Sequence, residues 1–437
     1  MPNSSSQKST ATPHHTPCWR PVNSQVSAGG AVRRPTLLMK NERNDDLHRR
    51  MSRTMPKGLT MATIAVRARP YLHAIGVFVL VRLTGLVLLA ILAGNRHREL
   101  FDVLKSWDGD WYLAIAENGY DNVPPRFVDA GGQRTPTTPL AFFPLYPTLI
   151  RVVAPITGSD SATAALLVSL IAGCVAAAGI LRVARVIDPR PKTGLLLIAL
   201  WGGAPMAITL SMAYTEALFT ALAAWALVGV LERNWLLAGV CTAFAGLVRP
   251  SASVLVGTVA LAAIVAVFRA GKTWQAMVCA VLSPVGLFGW WGYVAKRTGS
   301  LTGWFDIQRQ GWFSYFDGGQ QTVRFFGDII DTGNSVMETV TMLLVIAAVV
   351  LTILIISARI PWPLWLYGGG TVLMVLVTAG ITYSKARFLI PAFPLLIPVA
   401  RGLANRKRHT MIAATIAYVL FGSWFSAYSL TGWTLAI

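Results

Sequence analysis

The stretch Tyr71–Gly94, YLHAIGVFVLVRLTGLVLLAILAG, decides the fold. Arg82 is its only Lys, Arg, Asp or Glu, and a run of this length matches the roughly 20 apolar residues that a bilayer core requires. Comparable runs recur at 161–187, 194–212, 215–231, 235–249, 252–268, 274–295, 336–357, 362–380, 388–403 and 410–431. The expected fold is therefore all-α and polytopic, with roughly eleven transmembrane helices. Composition agrees: 54% of the 437 residues are hydrophobic and only 13% charged, against about 25% charged in soluble domains.

The net charge of +19 is large enough to suggest a nucleic-acid partner, but its distribution argues otherwise. With the N-terminus inside, the basic clusters 182–192, Arg233, 269–272, Arg359 and 401–408 all fall on cytoplasmic returns. That is the positive-inside pattern, and it calls for membrane lipids and no nucleic acid. The two long hydrophilic loops, 95–160 (with its apolar end at 139–157) and 296–335, then face the extracytoplasmic side and carry most of the carboxylates outside the tail. Residues 1–60 are rich in Ser, Thr, Pro, Asn and Arg and read as a disordered cytoplasmic tail. Met51, Met55 and Met61 are alternative starts within or just after it. Of the four cysteines, Cys174, Cys241 and Cys279 lie in apolar runs and Cys18 in the tail, so no disulfide framework is expected.

Chemistry concentrates in Ser106–Tyr120, SWDGDWYLAIAENGY. Its aromatic and apolar spacing suits a short helix lying in the membrane interface. Asp108 and Asp110 stand at the amino end, where the helix dipole favours carboxylates, either as caps or as site residues. A second interfacial segment follows at 139–157, with two prolines in its first half and Arg151 inside it. Glu216, in Tyr214–Thr215–Glu216, and Arg82 are costly charges at membrane depth. They are expected either to pair with each other or to face one polar cavity. Arg249, Lys385 and Arg387 stand at outer membrane boundaries, where an anionic headgroup or phosphate is their natural ligand. The prolines after Arg387 suggest a broken helix end lining a cavity. No phosphate-binding glycine loop, HExxH or CxxC pair occurs. Two carboxylates can contribute to a divalent-cation site, but no cofactor is required by the sequence.

Taken in order, WDGDWYLAIAENGY, AFFPLYPTLIR, YTEALF, LVRPS and ARFLIPAFPLL resemble the PIG-V-like membrane mannosyltransferases, bacterial relatives of GPI mannosyltransferase II. The resemblance covers about 107–398 and implies a glycosyltransferase of the GT-C class. Such an enzyme takes a sugar from a polyprenyl-phosphate donor and delivers it outside the cytoplasmic membrane to a glycan, lipid or protein hydroxyl. It implies Asp108 as the essential acid of the first outer loop, with Asp110 beside it. It maps the basic residue heading the late proline-rich span onto Arg387, with Arg249 and Lys385 as further candidates for the donor phosphate. Trp107, Trp111, Tyr112, Tyr146, Tyr214, Glu216 and Arg82 are the expected lining of the substrate cavity. Mannose rests on the resemblance alone; arabinofuranose, glucose or an aminosugar, or a lipid or solute transporter, are the competing readings.

Overall fold

The computed structural model describes residues 61–270, 274–333 and 335–433, with side chains from Ala68 onward except that of Ala270. The expected tail, 1–60, lies outside the described residues. Every regular element is helical, and no β-strand occurs among the described residues. In chain order these are α1 (Met61–Gly94), α2 (Leu100–Lys105), α3 (Asp108–Asn118), α4 (Leu145–Thr157), α5 (Ser161–Ile187) and α6 (Pro191–Gly202). Then come α7 (Glu216–Leu231), α8 (Trp235–Ala245), α9 (Ala252–Ala270), α10 (Trp274–Leu282), α11 (Val285–Thr298) and α12 (Gly303–Trp312). The last six are α13 (Gln320–Thr332), α14 (Val336–Ser357), α15 (Trp362–Val377), α16 (Lys385–Phe388), α17 (Ile397–Ala404) and α18 (Arg408–Thr431).

The chain is a multi-pass membrane protein, and the exact count of eleven spans is not confirmed. Six segments among the described residues are long and apolar enough to cross a bilayer: 68–94, 161–187, 252–269, 274–298, 336–357 and 408–431. A bent pair, Thr382–Phe388 with Phe393–Ala404, makes a seventh if counted as one broken span. Helices α7, α8 and α15 are apolar but shorter, and the run expected at 194–212 breaks after Gly202. Each interruption has a local cause. Gly202, Gly203 and Pro205 end α6, and Met206 adopts φ +67° before a 3-10 turn at Ala207–Ser211. Pro391 and Pro394 remove donors in the late span, which turns by 73°.

Helix α5 runs the length expected for it. The Asp160 carboxylate accepts from the Thr163 amide at 2.7 Å and caps its start. Its small residues let neighbours approach closely, as membrane helices require in place of a hydrophobic drive. A Cβ on Gly179 would stand 2.9 Å from the Cβ of Ala224 in α7, and one on Gly173 would collide with the Phe78 ring of α1. Helix α7 is consequently buried on nearly every side.

The broken backbone after α6 explains Arg82. Its Nη1 donates to the Gly202 carbonyl at 2.7 Å and its Nε to Ser211 Oγ at 2.9 Å. Further along the same segment, Ser169 Oγ donates to the Met212 carbonyl at 2.8 Å, and the Ala213 amide to the Leu104 carbonyl at 3.0 Å. Arg82 therefore neither pairs with Glu216 nor lines the cavity described below. It satisfies carbonyl and hydroxyl groups where unwound chain lies among apolar helices.

The crossing that sets up the functional site is between α8 and α11. A Cβ on Gly286 would strike the Ala243 carbonyl, and one on Gly246 the backbone nitrogen of Leu287. The helices meet backbone to backbone, three residues before Arg249. We predict that Gly286→Val lowers unfolding stability in detergent by about 1–3 kcal/mol through overpacking. Gly289→Ala, facing open space in the same helix, is the control and should leave the thermal midpoint unchanged.

Candidate active site

Helix α3 begins at a strained residue. Trp107, its N-cap, has φ +63° and ψ −119°, a conformation that L side chains rarely adopt and that is retained only when surroundings impose it. The result is that Asp108 opens the helix with its amide donating to the Tyr214 hydroxyl at 3.3 Å. From the other end of the chain, Arg387 Nη2 donates to Asp108 Oδ2 at 2.6 Å. The Arg387 guanidinium lies over the Tyr214 ring at 5.2 Å and over the Phe388 ring at 4.9 Å. Its Nε and Nη1 are buried without any hydrogen-bond partner among the described residues.

A second buried ion pair stands beside the first. Arg249 Nη1 is 3.1 Å from Glu216 Oε1, with only 9% and 2% of the two side chains exposed. The contact is poorly aligned for a hydrogen bond, because Arg249 Nη1 and Glu216 Oε2 are both left unpartnered. Arg249 also packs on Phe219 at 5.7 Å and on Phe388 at 5.4 Å. One ring, Phe388, thus touches both guanidiniums.

These groups line a cavity of about 730 Å³, within the size range of ligand pockets. The two long loops, 95–160 and 296–335, roof it together. Arg297 pairs with Asp121 across them, and the Ala130 amide donates to the Gly311 carbonyl at 2.9 Å. Trp304 Nε1 and Gln308 Nε2 both donate to the Ala141 carbonyl, at 3.4 and 3.2 Å. Trp111 stacks on Phe142 with ring centroids 5.1 Å apart, and Trp312 meets both edge-on. Burial, and secondarily the neighbouring Asp108 carboxylate, push the Tyr112 phenol above its ordinary value, so it stays protonated as a wall of the cavity.

The structure brings together most, but not all, of the expected lining. Trp107, Asp108, Asp110, Trp111, Tyr112, Glu216, Arg249, Lys385 and Arg387 reach the cavity. Arg82 and Tyr146 do not line it. The Tyr146 hydroxyl is buried between the Ala165 carbonyl at 3.0 Å and Ser169 Oγ at 2.8 Å, supporting Tyr112 edge-on from behind. Tyr214 lies beneath the Asp108–Arg387 pair rather than in the wall. Lys385 lines the cavity, yet its ammonium donates to the Val375 and Thr378 carbonyls at 2.6 and 2.7 Å. It caps the carboxyl end of α15, as cations at helix ends do.

Helix α3 is packed into the protein. Seven of its eleven residues are buried against α4 and α5. Asp110 is exposed, at the junction of the main cavity with a smaller cleft. Among the described residues, no group of three or more His, Cys, Asp and Glu could hold a metal ion. Asp108 gives one carboxylate oxygen, Oδ2, to Arg387.

Sequence reading missed Phe388, Ser251, Trp304 and Trp312. The first two lie within motifs already quoted, ARFLIPAFPLL and LVRPS, but nothing in spacing alone distinguishes a cavity residue there. The tryptophans lie in an amphipathic stretch of the second loop, where alternating aromatics were the available signal.

No family model matches the chain, and no curated protein matches it by sequence. Solved structures do resemble it in part. The oligosaccharyltransferase of Archaeoglobus fulgidus, in a complex with zinc and sulfate, is 13% identical, covering 81% of this chain and 53% of its own, with a TM-score of 0.46. ArnT from Cupriavidus metallidurans bound to undecaprenyl phosphate is 14% identical over 81% of this chain and 75% of its own, at 0.45. The oligosaccharyltransferase AglB from A. fulgidus, with an inhibitory peptide and a dolichol-phosphate, gives 12%, 83%, 56% and 0.46. The chain spans about half the length of the A. fulgidus proteins. Likeness at this level leaves function to be argued from the site, and it does not reach the PIG-V-like family.

Breaking the Glu216–Arg249 pair gives a direct measure of how it is built. Arg249→Met should cost about 3–5 kcal/mol, because Glu216 is left as a buried uncompensated charge. Arg249→Met combined with Glu216→Leu should recover most of that loss. Chemical unfolding in detergent measures both, and a single-variant cost below about 1 kcal/mol would contradict a charged, desolvated pair.

Proposed function

We propose that the chain is a membrane glycosyltransferase that moves one sugar from a polyprenyl-phosphate donor to an acceptor hydroxyl on the extracytoplasmic side. The observation that carries this reading is the 2.6 Å contact between Asp108 and Arg387 at the cavity wall, with two further Arg387 nitrogens unpartnered. A carboxylate and an incompletely satisfied guanidinium side by side are what a displacement at a glycosyl phosphate needs. The carboxylate takes a proton, and the guanidinium receives an anion.

In the proposed reaction the acceptor oxygen attacks the anomeric carbon and forms the new glycosidic bond. The anomeric carbon–phosphate oxygen bond breaks, and its electron pair leaves on the prenyl phosphate. The hydroxyl proton passes to Asp108. Attack from the face opposite the leaving group inverts the anomeric centre. Arg387 balances the negative charge growing on the phosphate, using the donors it does not share with Asp108. Arrival of that phosphate competes with Asp108 for the guanidinium, so the base is released as the donor seats. The stacked Trp111, Phe142 and Trp312 form an aromatic wall suited to a sugar face. The transferred sugar is proposed to be mannose, on the resemblance of WDGDWYLAIAENGY and its companion motifs to the PIG-V-like enzymes. The acceptor is a glycolipid, lipoglycan or protein hydroxyl.

Two experiments test this reading. Asp108→Asn should abolish transfer from polyprenyl-phosphate mannose while leaving lipid-phosphate binding intact or tighter, since the competing carboxylate is gone. Arg387→Ala should weaken lipid-phosphate binding instead. Near-wild-type transfer by Asp108→Asn would exclude the base, and unchanged donor saturation in Arg387→Ala would exclude the phosphate role. For sidedness, a cysteine replacing the 93% exposed Leu301 in a cysteine-free background should react with an impermeant thiol reagent added outside intact cells. Labelling only after the membrane is opened would put this loop, and the chemistry with it, on the cytosolic face.

A further inference from the structure

The Asp108–Arg387 pair uses only part of the polar wall. Beyond that pair stand Glu216, with Oε2 unpartnered, Arg249, with Nη1 unpartnered and its guanidinium 5.4 Å from the Phe388 ring, and Ser251, with Oγ unpartnered. All three residues line the cavity, with these particular atoms covered by their neighbours in the empty protein. Glu216 is 1% and Arg249 7% exposed, so each unmet hydrogen-bonding atom carries a desolvation cost that a purely structural arrangement would be expected to avoid. Glu216 opens α7, a largely buried helix, and the Arg249 guanidinium packs on the Phe219 and Phe388 rings. Neither side chain is placed to swing aside.

The chemistry of this cluster does not suit a phosphate. A phosphate at Arg249 would lie beside the Glu216 carboxylate, and unlike the partly exposed Asp108, Glu216 has no open route to solvent by which to withdraw. A buried carboxylate, a guanidinium nitrogen and a hydroxyl, with net charge near zero, suit a neutral ligand that both donates and accepts hydrogen bonds. Adjacent hydroxyls on a sugar ring are such a ligand: one donates to the carboxylate, and its neighbour accepts from the guanidinium or serine. Phe388 adjoins both guanidiniums, so this cluster and the phosphate cation are one aromatic ring apart. A glycosyl phosphate, whose ring is joined directly to its phosphate, matches that adjacency.

We propose that Glu216, Arg249 and Ser251 form the seat for the hydroxyls of the donor sugar, and that they determine which sugar is accepted. This rests on the donor class proposed above and reassigns Arg249 from phosphate to sugar. The test compares full-length wild-type protein, Glu216→Gln and Ser251→Ala in detergent. It measures equilibrium binding of polyprenyl-phosphate mannose and of sugar-free polyprenyl phosphate with the same prenyl chain, and follows thermal midpoints alongside. Glu216→Gln should weaken the sugar-bearing lipid about ten- to a hundredfold, the worth of a hydrogen bond to a charged group. Ser251→Ala, whose hydroxyl holds nothing in the fold, should weaken it up to about tenfold. The sugar-free lipid should bind both variants as it binds wild type.

Parallel loss of both lipids, or no loss of the sugar-bearing one in a folded Ser251→Ala protein, overturns the seat. So does a wild-type protein that binds the two lipids equally tightly, and that result would leave the phosphate reading standing. A wild-type protein that binds neither lipid removes the donor class itself.

Discussion

The contact between Asp108 and Arg387 joins residues 279 positions apart and ties the first long loop to the last broken span. Both elements are irregular where they meet. Trp107 is held at positive φ on one side, and α16 is a single turn before a proline-rich bend on the other. Neither conformation would persist alone, and each is fixed by what the other presents. Tyr214 underlies the pair from a third broken element, between α6 and α7. The site is therefore assembled from three places where regular helix fails, each supported by the long helices around it.

That arrangement explains why much of the site could be read from the sequence while much of the topology could not. Asp108, Glu216, Arg249 and Arg387 announce themselves because charge is rare in so apolar a chain, and rarity at membrane depth implies a partner or a cavity. Helix α5 is legible for the opposite reason: it is long, capped by Asp160 and uninterrupted. The segment 194–212 defeats the same reading. Its hydropathy is continuous, while Gly202, Gly203 and Pro205 end the helix, and window-averaged apolarity does not register a change of direction. The exact number of spans turns on that break and on the proline-rich bend of 382–404.

Arg82 and Tyr146 show the limit for single residues. Each is polar and buried, as a cavity residue would be, and each turns to backbone carbonyls and hydroxyls instead, although Arg82 Nη2 has no partner among the described residues. A sequence gives the presence of a hydrogen-bonding group but not the address of its partner, and in a bundle with unwound backbone there are many internal acceptors to find. Lys385 divides the two roles, standing at the cavity while holding the end of α15. Phe388 was unreadable because its importance lies in touching two guanidiniums that come from separate elements.

The shortness of α7 has a consequence for how a lipid would meet the protein. Sixteen residues at about 1.5 Å each span roughly 24 Å, less than the about 30 Å of hydrocarbon in a typical bilayer. A helix of that length standing along the bilayer normal would leave Glu216 in a recess short of the hydrocarbon boundary, with the longer helices around it as a shield from the acyl chains. A headgroup could enter sideways and slightly downward, with its tail still dissolved in the leaflet, rather than being lifted out into water. Depth, more than breadth, is what such a short enclosed helix provides.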